Sequence, residues 1–125
     1  MVPELMPDEV LSFVGANIDS VPQLEALLLI WDSAPREWTA AEIAHRVYLP
    51  DDRAARLLQD LVARHWVVAG GAGYVFNAAS TDAPMIAHLA AHYRSNLIRI
   101  AEIVHRKASP AVLDFARAFD LRKDR

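Results

Sequence analysis

Thr39 to Phe76 reads TAAEIAHRVYLPDDRAARLLQDLVARHWVVAGGAGYVF, and this stretch decides the fold. Thr39 and Glu42 have the spacing of a capping box, in which the hydroxyl accepts a first-turn amide and the carboxylate reaches back to the amide of the cap. Trp38 before the cap and Ile43 four residues into the helix are placed as a hydrophobic staple. The pattern predicts a helix from about Ala40, with Ile43, Ala44 and Val47 on one apolar side. Pro50 closes the turn that follows, because a proline pushes the residue before it out of helical conformation. A second helix is predicted from near Asp51 to about His65, with Ala54, Leu57, Leu58, Leu61 and Val62 recurring at helical spacing. Trp66-Val67-Val68 and Tyr74-Val75-Phe76 then flank a glycine-rich tip, which reads as a hairpin.

A-x-x-I-A-x-x-V, a proline-led turn, A-x-x-x-L-x-x-L, an apolar pair and a hairpin resemble the winged-helix DNA-binding domains of MarR-like bacterial transcriptional regulators. The resemblance covers roughly residues 20 to 79. It implies a mainly α fold with a small β-hairpin, a winged helix-turn-helix flanked by an N-terminal helix and a long C-terminal helix. It also implies a transcriptional regulator that binds double-stranded DNA as a homodimer, through the second helix of the quoted stretch. That family often carries glycine where this helix turns into the wing. Here the position is His65, which tolerates the left-handed conformation better than most residues.

The flanks give the domain plan: an N-terminal helical arm over 1–19, the winged helix over 20–79, and a C-terminal helical region over 80–125. The arm carries Glu4, Asp8, Glu9 and Asp19 with no Lys or Arg, and Val10, Leu11, Phe13 and Val14 suggest a short helix docked by its apolar side. Ser20 and Gln23 repeat the capping pattern, and Leu24, Leu27, Leu28 and Trp31 are expected to face a core. After the wing, an uninterrupted helix is predicted from about Ala83 to Lys107, about 36 Å long at about 1.5 Å per residue. Ile86, Leu89, Tyr93, Leu97, Ile100 and Val104 alternate three and four residues apart, the seam spacing of a helix packed lengthwise on another. The resemblance, whose members build their dimers from helices flanking the winged helix, implies that Leu89, Tyr93, Leu97, Ile100 and Val104 are the dimer interface. The competing expectation is that this face packs on the N-terminal arm and on a short final helix over 110–119 within one chain.

The 125 residues carry a formal charge of -3 and no cysteine, so composition gives no global attraction to nucleic acid and excludes thiol chemistry and thiolate zinc sites. No segment has the length and apolarity to span a bilayer, and the expected location is the cytoplasm. His88 and His92 stand four apart on the long helix, but two imidazoles without further ligands do not make a metal site, so neither metal nor cofactor is expected. Paired carboxylates in a cleft, a nucleophile elbow and a cofactor fingerprint are all lacking, which argues against an enzyme.

The outer side of the second helix carries Arg53, Arg56 and Gln59, side chains able to hydrogen-bond base edges or phosphates, and Arg64 is placed to reach the backbone near its end. Two features oppose DNA. Asp51 and Asp52 at the helix start repel phosphate, and Val67 to Asn77 contains neither Arg nor Lys, so the wing neutralises nothing. Residues 20–79 hold five Lys or Arg against seven Asp or Glu, whereas from Ser80 onward there are eight against five. The alternative expectation is therefore a winged-helix module that binds a protein, such as a component of transcription or another regulator.

Overall fold

The computed structural model describes residues 8–108, with side chains to Arg106. The chain is mainly α-helical with a small antiparallel hairpin: α1 (Asp8–Asn17), α2 (Val21–Asp32), α3 (Ala40–Val47), α4 (Asp51–Ala63), β1 (Val67–Ala69), β2 (Tyr74–Phe76), α5 (Ala83–Tyr93), and α6 (Leu97–Ala108) after a 3-10 turn. Its contacts divide it into two units. One spans Pro22–Ala91; the other joins 8–21 with 92–108 among the described residues. The expected helix over 110–119 lies outside the described residues. No single helix among those described is long and apolar enough to cross a membrane.

In the first unit, α3 starts where its local chemistry says it should. Glu42 N–H donates to Thr39 Oγ1 at 3.1 Å and Thr39 N–H donates to Glu42 Oε1 at 2.9 Å, so both halves of the capping box are made. Ile43, Ala44 and Val47 are buried. The turn into α4 is set by Tyr48 as well as Pro50: Tyr48 ends α3 in the left-handed region at φ 60°, and the Pro50 carbonyl accepts from Arg53 and Ala54. Ala54, Leu58 and Leu61 form the buried side of α4, and Leu57 and Val62 are half-buried. His65 adopts the left-handed conformation at φ 64°, as its place at the end of α4 required.

The hairpin pairs Val67 with Phe76, Val68 with Val75 and Ala69 with Tyr74. A third edge comes from before α3. Trp38 N–H donates to the Tyr74 carbonyl at 2.8 Å and Tyr74 N–H to the Trp38 carbonyl at 2.7 Å, an antiparallel bridge on the outer side of β2. Helix, bridge, helix-turn-helix and hairpin follow one another in the order of a winged helix-turn-helix. Gly73 allows this contact, because a Cβ there would collide with the Trp38 carbonyl.

The core side of α2 differs from the expectation. Gln23, Leu24, Ala26, Leu27 and Ile30 are buried, whereas Leu28 and Trp31 are half-exposed. The buried Gln23 is tolerated because its Nε2 donates to Asp60 Oδ2 on α4 at 2.7 Å, which satisfies a group that would otherwise be costly to bury.

In the second unit α1 packs on α6, with Val10 and Val14 buried. The expected uninterrupted helix from Ala83 is interrupted at Arg94–Asn96 by the 3-10 turn. Ser95 Oγ and Asn96 Nδ2 donate to the His92 carbonyl at 3.4 and 2.9 Å, local side-chain bonds that compete with the helical ladder. Each 3-10 residue advances the chain by about 120°, against about 100° in an α-helix, so a seam read at α spacing changes side there. Ile100 and Val104 are fully buried within the single chain, as is Leu89, and Tyr93 is half-buried. Leu97 and Ile98, at 47% and 74% exposure, are the large apolar side chains that α6 leaves on its surface.

Candidate nucleic-acid interface

The solvent side of α4 presents Arg53, Arg56 and Gln59 at three-residue spacing, all exposed. Arg53 and Gln59 have no side-chain partner among the described residues. Arg56 lies 3.5 Å from Asp52 one turn earlier, with both side chains largely exposed. Such a pair contributes only about 0.3–0.5 kcal/mol, so Arg56 can leave it for a stronger anion. The three side chains thus remain available, beside two carboxylates that do not favour a polyanion.

Arg64 has a different place. Its Nε donates to Asp60 Oδ2 at 2.8 Å, the same oxygen that accepts from Gln23, and its guanidinium lies 5.2 Å from the centre of the Trp66 ring. With its side chain only 25% exposed, Arg64 ties the end of α4 to the scaffold and is poorly placed to reach a phosphate. The tie continues through Trp66, whose indole N–H donates to Asp82 Oδ2 at 2.7 Å.

The wing is uncharged, and a carboxylate sits at its tip. Ala72 N–H donates to Glu37 Oε1 at 3.1 Å, and a Cβ on Gly70 would meet the same oxygen at 2.9 Å. Val68 is exposed on its outer side. Nothing in this hairpin offers a cation to a groove or a phosphate.

A second cluster lies on α3, where the sequence indicated no role. Arg36 sits 3.6 Å from the centre of the Trp38 ring and Arg46 sits 5.5 Å from it. Trp38 is buried, with its indole N–H donating to Ser33 Oγ at 2.8 Å. Arg36 also reaches Glu42 Oε2 at 3.4 Å. The Thr39 backbone amide, helped by the Arg36 guanidinium, holds the Glu42 carboxyl below its ordinary range. The arginines were visible in the sequence, but no periodic pattern marked them as sharing the Trp38 ring. Tyr48 is the most exposed large side chain here, at 91%, and holds a left-handed backbone that is costly for a bulky residue.

His88 is exposed and His92 half-buried, and no group of three or more His, Asp or Glu among the described residues is placed to hold a metal ion. Comparison with known proteins adds no relative: no family model, curated protein or solved structure gives a significant match.

Proposed function

We propose that this chain is a DNA-binding transcriptional regulator of winged-helix type that acts as a dimer, in line with its sequence resemblance to MarR-like regulators. The observation that supports this reading is the exposed stripe of Arg53, Arg56 and Gln59 on the second helix of a helix-turn-helix. Side chains of these types hydrogen-bond guanine, adenine and phosphate in the major groove. Arg64 leaves the set of contacts because it is committed to Asp60. In this reading the chain works in the cytoplasm, without catalysis, and dimerises through the part of α6 that carries Leu97 and Ile98.

The test is binding to a mixed pool of genomic duplex fragments across a salt series. Affinity in the range of roughly 10⁻⁴ to 10⁻⁶ M at physiological salt, falling steeply as salt rises, is the expected result. Arg56→Ala should then weaken binding while leaving the fold intact. Sedimentation should show a dimer for the wild-type chain, and a monomer would remove that part of the proposal.

One arrangement favours a second reading, a module that binds a protein instead. The wing has no cation, its tip is held by Glu37, and Tyr48 stands fully in solvent beside α3. Exposed tyrosine is a residue type enriched at protein interfaces. No duplex binding even at low salt would make this the better reading.

A further inference from the structure

The hollow beside Trp38 plays no part in the α4 stripe. It is an open surface depression of about 390 Å³ lined by Arg36, Trp38, Ala41, Glu42, His45 and Arg46. That volume lies within the range of small-molecule sites, about 300–1,000 Å³. Its charges are arranged in a particular way. Glu42, the one carboxylate in the lining, has both oxygens engaged, Oε1 by the Thr39 amide and Oε2 by Arg36. Arg46 and His45 have no carboxylate partner among the described residues. The Arg46 guanidinium instead rests near the Trp38 ring. A guanidinium beside an aromatic ring keeps N–H donors that can serve another group. Ala41 contributes only a methyl group to the lining.

We propose that this hollow binds an oxyanion, the phosphate group of a small ligand, with Arg46 as the principal donor, His45 as the second and Arg36 as the flanking cation. The chemistry matches the site: a guanidinium fork hydrogen-bonds two phosphate oxygens at once, and the two guanidinium groups of the lining outnumber its one carboxylate. The site is separate from Arg53, Arg56 and Gln59, and it stands whether or not α4 reads DNA.

The experiment is a titration of inorganic phosphate into the full ¹⁵N-labelled chain at constant ionic strength, following the Trp38 indole N–H and the amides of Ala41, His45 and Arg46. Saturating shifts confined to these signals are expected. Arg46→Gln removes the charge, and Ala41→Leu fills the hollow at an exposed helical position without touching any charge. Each should weaken the apparent affinity about tenfold or more, as expected for a lost hydrogen bond to a charged group, with the remaining spectrum unchanged. Arg53→Gln should leave phosphate binding as it is. Shifts that grow linearly and spread over all the arginines would overturn the proposal, as would saturation that persists in Arg46→Gln. A second arm adds a short DNA duplex. Movement of the same signals, reversed by phosphate, assigns the oxyanion to the DNA backbone and overturns the small ligand; a duplex that leaves them in place supports it.

Discussion

The two helices of the helix-turn-helix are anchored at opposite ends. α3 is fixed at its start: the capping box closes its first turn, Trp38 just before it bridges to β2, and Arg36 joins the Trp38 ring to Glu42. α4 is fixed at its finish, where Asp60 accepts from both Gln23 and Arg64 and where His65 turns the chain into the wing. The start of α4 has no side-chain cap, and its side-chain pairing there is the exposed contact between Asp52 and Arg56. The same architecture thus holds one helix by its front and the other by its back. The end of α4 left without polar ties is the end that carries Arg53 and Arg56, so those side chains can change partners without disturbing the fold.

That comparison can be broken in three places. Gly73→Ala should have the largest effect, because the new Cβ would run into the Trp38 carbonyl and part the bridge that fixes the front of α3. A loss of about 2–3 kcal/mol in urea unfolding is expected, the upper part of the usual range for single substitutions. An unchanged midpoint would show that α3 does not depend on the bridge. Asp60→Ala comes next, removing the acceptor shared by Gln23 and Arg64 at the back of α4. A loss of about 1.5–2 kcal/mol follows from hydrogen bonds to a charged group, and a variant as stable as wild type would show that the finish of α4 is held by packing alone.

Glu42→Gln sharpens the comparison and has the smallest effect. Because the Thr39 amide and the Arg36 guanidinium lower the Glu42 pKa in the folded chain, the ionised carboxylate stabilises the native state at pH values above the ordinary carboxylate range. This contribution is lost as pH falls through the lowered native value. Thermal unfolding should therefore show Glu42→Gln melting below wild type at neutral pH, with the two curves converging in acid. A gap that stays constant with pH would mean that the capping box acts through shape and not through charge.

Some of this could be read directly from the chain. The start of α3 was legible because Thr39, Glu42 and the amides they cap lie within three residues of one another. The left-handed turn at His65 was implied by the resemblance, which places glycine where this helix turns into the wing. The apolar stripes of α3 and α4 and the glycine tip of the hairpin likewise fixed element types, since helical and strand periodicities differ. The stripe of Arg53, Arg56 and Gln59 was legible for the same reason: one face of an amphipathic helix must point to solvent.

The rest depended on groups far apart in the chain. Glu37 meets the amide of Ala72 across 35 residues, and Gln23 meets Asp60 across 37. No local pattern marks which distant group a side chain will find; the pairing of Arg64 with Asp60 is one helical turn in reach, and only the Gln23 that shares its acceptor is remote. The helix read as continuous after the wing is interrupted for a local reason. Its spacing was legible, but Ser95 and Asn96 tighten one turn onto the His92 carbonyl and shift the phase, and α1 packs on α6. Local sequence therefore determined the helices, the hairpin and the exposed arginine stripe, because those follow from short-range hydrogen bonding and periodicity. Tertiary structure alone decided the third edge of the wing, the tie from Gln23 to Asp60 and the contact of Glu37 with the hairpin tip, because each requires segments distant in sequence to meet before any of its bonds can form.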